Sequence, residues 1–158
     1  MEGPDAAWFR QQKGRQSMDI YGMPGHLIRR LQQQSTQAFA SRMREAGFDI
    51  TPVQFAAKDA LAARPGIDQA TLAQLIAYDR ATIGGVVDRL EGKGLVERAI
   101  SAADRRAREV RLTEEGARLY RELVPVVRLV QQDIMAPVPP EAQAAFMATM
   151  RQLVDGLG

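Results

Sequence analysis

The sequence predicts a mainly α fold with one small β-hairpin and long terminal helices, on three observations. Apolar residues recur near helical spacing through most of the chain after residue 20. Asp68 and Asp79 can each cap a short helix, leaving only a few residues of turn between the two. The period changes to that of strands after Gly92 and Gly94, over 95–100 and 107–112, joined by a polar, arginine-rich segment.

Residues 1–19 are polar, carry Gly3, Pro4 and Gly14, and show no sustained period, so they read as a flexible arm despite Trp8 and Phe9. From Pro24 the set Leu27, Leu31, Ala38, Phe39 and Met43 predicts a helix that stops at Gly47. Thr51-Pro52-Val53-Gln54 reads as a capping box with proline at the first helical position, and this second helix ends before Pro65-Gly66. Asp68 starts a helix to about Ile76. Asp79 starts another to about Gly92, whose stripe Ile83, Val87 and Leu90 leaves Arg80, Thr82, Gly84, Gly85, Asp88 and Arg89 facing elsewhere. A helix-turn-helix followed by a basic hairpin is a winged helix. Thr113-Glu114-Glu115 opens a long helix with acids where its dipole favours them. Pro125 should bend that helix, Pro137, Pro139 and Pro140 should end it, and a last helix carries Phe146, Met150, Leu153 and Leu157. The terminal helices are apolar on more than one face. A two-fold dimer built from them would bury that surface; the alternative is a monomer that folds them onto its own core.

The composition removes several chemistries. The 158 residues include no cysteine and one histidine, which excludes a thiol nucleophile or redox switch, a Cys-ligated zinc and a multi-histidine metal site within one chain. No cofactor is expected. The first thirty residues lack the apolar core of a leader, and no stretch approaches a membrane span, so a cytoplasmic protein without membrane contact is expected. The net charge of +2 conceals an uneven distribution: residues 79–112 hold eight bases against six acids, residues 113–158 four against six. Such a basic run is either a solvated face or the footprint of a nucleic-acid partner.

On double-stranded DNA, a recognition helix starting at Asp79 places Arg80 and Thr82 for base edges or phosphate and Arg89 for a phosphate or a guanine. Gly84-Gly85 is costly in a helix. It serves either close approach to the duplex or close packing against the neighbouring helix. At the hairpin tip Arg105 and Arg106 suit the minor groove, with Asp104 orienting an arginine; a salt-bridged surface turn is the alternative.

From about 51 to 113, and above all in the segments 81–98 and 104–108 (ATIGGVVDRLEGKGLVER and DRRAR), the chain resembles the MarR (multiple antibiotic resistance regulator) family. The resemblance implies a homodimeric winged-helix transcriptional regulator, most often a repressor, that releases a palindromic operator when a small molecule binds between the dimerisation and DNA-binding regions. It places Asp104 in the orienting role and Arg106 at the minor groove. Residues 20–158 then form one domain, with a DNA-binding region at 51–112 and dimerisation helices at 20–47 and 113–158. The missing cysteine and single histidine argue against oxidant and zinc sensing. The resemblance points to an aromatic carboxylate, a phenol or an aromatic coenzyme A thioester as effector.

Two features fit an anionic aromatic effector. His26 and Arg30 share a helix face at i, i+4 spacing next to Arg29, and Lys58 stands where similar proteins carry an apolar residue. His26 serves otherwise as a buried or interfacial histidine, Arg29 and Arg30 as surface or dimer residues. Lys58 either points into the effector pocket or reaches solvent along its stem. A winged-helix protein-interaction module without specific DNA binding is the competing function; the arginine pair at the wing speaks against it. An enzyme is third, since no nucleophile elbow, phosphate loop or metal signature is present.

Overall fold

The computed structural model describes residues 20–100 and 108–157. The chain divides into two compact units, the first ending at Gln37 and the second running from Ala38. After a 3-10 turn at Ile20–Gly22, helix α1 spans Pro24–Glu45, α2 Pro52–Ala63, α3 Gln69–Leu75, α4 Arg80–Gly92, α5 Glu114–Met135 and α6 Pro140–Leu157. Strands β1 (Ile67–Asp68), β2 (Val96–Ile100) and β3 (Arg108–Leu112) form an antiparallel sheet in the order β1-β3-β2.

The helix starts follow the side-chain chemistry of their caps. At α2 the Thr51 hydroxyl accepts from the Gln54 N–H (3.3 Å) while the Gln54 side chain accepts from the Thr51 N–H (3.1 Å), so the capping box forms in full. Helices α3 and α4 begin with the same device. Asp68 accepts from the N–H and hydroxyl of Thr71 (2.9 and 2.7 Å), and Asp79 from those of Thr82 (2.8 and 2.5 Å). These bonds hold both carboxyls below the usual range, the Thr hydroxyl being the largest cause in each. Helix α4 ends where Gly94 takes a left-handed backbone (φ +70°) and Leu95 N–H returns to the Leu90 carbonyl (2.9 Å). Helix α5 runs through Pro125, and α6 opens on Pro140.

The core of the second unit lies between the helix-turn-helix, α2, the sheet and α5. Phe39, Met43, Leu61, Leu72, Ile83, Val87, Leu90, Val110, Leu123 and Val130 are all buried in it. At Gly116 a Cβ would stand 1.8 Å from the Leu95 carbonyl oxygen, so α5 passes the start of the wing closer than any side chain permits. The hairpin has the expected strands, with Val96 opposite Leu112 and Ile100 opposite Arg108. The short strand β1, pairing Ile67 with Val110, has no counterpart in the sequence prediction, because two residues carry no period.

Candidate nucleic-acid interface

Helix α4 buries Ile83, Val86, Val87 and Leu90 and leaves Arg80, Ala81, Thr82, Asp88 and Arg89 exposed. The expected stripe is present, widened by Val86. Arg80 and Arg89 make no hydrogen bond or ion pair among the described residues, so their guanidinium donors are available to an external acceptor. Thr82 is different: both its N–H and its hydroxyl hydrogen are committed to Asp79. It presents a methyl group and hydroxyl lone pairs to whatever approaches the helix. The Asp79 charge at the helix start leaves the contacts of that end with an anion to Arg80.

The two glycines can now be judged. A Cβ at Gly84 would meet only the end of the Gln69 side chain at 3.4 Å, and one at Gly85 only the Arg89 guanidinium at 3.7 Å. Both neighbours are flexible side-chain ends, so packing within the protein does not require either glycine. Arg89 folds back over the bare backbone of Gly85.

The support behind this face was not read from the sequence. Arg98 on β2 donates to Glu91 and, at 2.5 Å, to Asp88, and its backbone N–H donates to Glu91 (3.2 Å). Its side chain is only 18% exposed, although Asp88 and Glu91 are exposed, and the network ties the wing strand to the recognition helix. The signal available was the i, i+3 spacing of Asp88 and Glu91 beside a strand arginine. At the far end of α4, the Lys93 ammonium donates to the Asp49 carboxylate (2.7 Å) and carbonyl (3.0 Å), anchoring the helix to the loop before α2. Asp104, Arg105 and Arg106 lie outside the described residues.

Of the expected effector residues, His26 and Arg30 lie on α1 in the first unit and Lys58 on α2 in the second. His26 is half-buried, edge-on to Tyr21 (ring centroids 5.8 Å apart), and its Nε2 has no hydrogen-bond partner among the described residues. Arg29 and Arg30 are exposed. Lys58 does not reach solvent. It is 0% exposed, its Nζ has no hydrogen-bond partner among the described residues, and burial, with a smaller push from the Lys93 charge, lowers its pKa to about 8. Among the described residues no group of three or more His, Asp or Glu could hold a metal, and no helix is long and apolar enough to cross a membrane.

Comparison with known proteins agrees with this geometry. The MarR family model matches residues 48–107, which include the helix-turn-helix and β2. The transcriptional regulator HosA of Escherichia coli O127:H6 is 32% identical over 130 residues, 82% of this chain and 93% of HosA. The HTH-type transcriptional repressor NicR of Pseudomonas putida is 31% identical over 137 residues, 87% of this chain and 85% of NicR. Bordetella bronchiseptica BpsR, whose DNA binding is regulated by 6-hydroxynicotinic acid, superposes with a TM-score of 0.82 at 27% identity, over 88% of this chain and 98% of BpsR. With near full-length relatives above 30% identity and a winged helix presenting exposed arginines on its recognition helix, this chain belongs to the MarR family of DNA-binding transcriptional regulators.

Proposed function

We propose that the protein is a homodimeric repressor that binds a palindromic operator and releases it on binding a small aromatic acid, phenol or aromatic acyl-coenzyme A. The observation that carries the DNA-binding half is the exposed face of α4, where Arg80 and Arg89 have no partner among the described residues, on a helix whose other face is buried. Thr82 and Arg80 meet base edges or phosphate at the helix start, and Arg89 a phosphate or guanine two turns on. Arg105 and Arg106 enter the minor groove, with Asp104 orienting an arginine. Dimerisation is supported by apolar side chains left exposed on α1 (Leu27, Ile28) and α6 (Leu153, Val154, Leu157). The two-fold axis sets half-sites about 10 bp apart.

The effector half is supported by the unsatisfied Lys58 amine and the His26 and Arg30 pair, together with the aromatic acid that regulates BpsR. An anionic effector supplies Lys58 with the counter-charge that the folded chain withholds.

A mobility-shift titration on the DNA upstream of the neighbouring genes, repeated with 6-hydroxynicotinate and aromatic thioesters, tests the whole reading. Arg106→Ala is expected to weaken binding and make the salt dependence shallower by about one unit of slope. Unchanged affinity and slope would remove the wing assignment. Equal effector affinity for the wild type and Lys58→Leu would remove Lys58 from the site.

A further inference from the structure

The chain has three lysines, Lys13, Lys58 and Lys93, of which the last two fall among the described residues. Lys93 is an exposed ammonium held by the Asp49 carboxylate at 2.7 Å and the Asp49 carbonyl at 3.0 Å. Lys58 is the opposite case. It stands on the inward face of α2 with Gln54 and Leu61, and α2 packs against α3, α4, α5 and β3. Its side chain is sealed from solvent, and its Nζ has no hydrogen-bond partner among the described residues. The neighbouring Lys93 charge adds to the cost of an ammonium there, and no carboxylate among the described residues offsets it.

Burial without a partner therefore favours the free base. With its pKa near 8, Lys58 at pH 7 holds roughly 300 times more free amine than an ordinary lysine. That amine has an uncommitted lone pair, which makes it a nucleophile. An electrophile that suits it must be small enough to move through a packed core and must carry no charge or strong hydrogen-bonding group that resists desolvation. Carbon dioxide, triatomic and without a net dipole, meets both conditions.

We propose that Lys58 is a reversible carbamylation site for carbon dioxide. The nitrogen lone pair attacks the carbon, one C–O π pair moves onto oxygen, and the nitrogen gives up one proton to the medium. The product is a carbamate anion on the Lys58 Nζ plus one H⁺; nothing is oxidised or reduced, and the reverse step restores the free amine and carbon dioxide. The adduct inverts the local electrostatics, because the Lys93 charge that disfavours a cation at Lys58 favours an anion there. Lys93 is also the C-cap of α4, so the carbamate competes with Asp49 for a group at the end of the recognition helix. The effector reading of Lys58 uses the ammonium and the modification uses the free amine, so neither rests on the other.

Full-length protein equilibrated with ¹³C-bicarbonate and its carbon dioxide at a pH of about 8, observed by ¹³C NMR, tests the site. The α-amino group of the chain, whose ordinary pKa is also about 8, supplies one carbamate signal and an internal reference. Lys58 is expected to supply a second, lost on acidification and restored on re-equilibration. It should fall at least about tenfold in Lys58→Met and in Lys58→Arg, whose guanidinium stays protonated, while the reference signal persists. One substitution removes the buried charge and the other keeps it, so loss in both points to the amine itself. A wild-type spectrum with no carbamate signal beyond those that both variants retain would overturn the modification. Release of the operator by 6-hydroxynicotinate in that same protein would leave the effector reading standing.

Discussion

At the scale of single residues, two backbone positions make opposite demands. Ala77, in the turn between α3 and α4, has φ 55°, the left-handed region that L side chains enter at a cost. The turn enforces it, since Tyr78 N–H bonds back to the Ala73 carbonyl (3.0 Å). Glycine is the residue this conformation favours, although it loses more entropy on folding. Ala77→Gly is therefore expected to stabilise the protein by about 0.5 kcal/mol, seen as a raised midpoint in urea unfolding. Gly116 is the reverse case. Its backbone is helical, but the Leu95 carbonyl occupies the space of a Cβ. Gly116→Ala must push α5 off the wing, and a loss of about 3 kcal/mol or more is expected by the same measurement. Neither position was legible in the sequence, where Ala77 looks like any turn residue and Gly116 like an indifferent helix residue. Conformation and clearance are set by what the chain brings alongside.

At the scale of elements, helix α2 carries the most consequential departure from pattern. Its inward face reads Gln54, Ala57, Lys58 and Leu61, and a buried amine without a hydrogen bond among the described residues replaces what would be an apolar knob. The folded-state pKa of about 8 lies below the ordinary lysine value of 10.5 that holds in the unfolded chain. Below pH 8 both states are protonated, and the folded protein bears the full cost of the buried charge. Between pH 8 and 10.5 the folded state releases its proton first, so stability rises with pH across that window. Lys58→Met is expected to stabilise the protein by about 3 kcal/mol at pH 7, with the advantage shrinking toward pH 10. Denaturant melts of both proteins at pH 7 and pH 10 check this; a pH-independent difference would mean that burial does not lower the Lys58 pKa in the fold. The sequence already marked Lys58 as out of pattern and left two outcomes open. Only the packing of α2 against its neighbours removed the path to solvent.

The same scale explains the recognition helix. Its stripe and its Asp cap were legible, because both are local. The Arg98 link from β2 to Asp88 and Glu91 was not, because strand and helix meet only once the hairpin folds back.

At the scale of the whole molecule, α6 stands out among the long helices for its exposed apolar side chains. It has no buried residue, and Leu153, Val154 and Leu157 are 49%, 69% and 84% exposed. Exposed apolar surface on a helix this long is the mark of an interaction face. The double substitution Leu153→Glu with Val154→Glu is expected to convert a dimer to a monomer in sedimentation velocity. It should also weaken operator binding by at least about tenfold, since a monomer engages one half-site instead of two. A variant that remains dimeric would move the interface elsewhere.

The sequence by itself determined the helices, their caps, the hairpin and the family, because hydrophobic period, Asp and Thr caps and the wing motif act within a few residues of chain. It also limited the chemistry, since a chain without cysteine and with one histidine holds neither a thiol sensor nor a histidine cluster. The tertiary structure alone decided which polar groups are satisfied. Among the described residues, Asp88 and Arg98 are paired, Arg80 and Arg89 are unpaired, Lys58 is buried without a partner, and Arg111 is braced by Glu109. Desolvation and hydrogen bonding depend on distances between segments far apart in sequence, which no local pattern specifies.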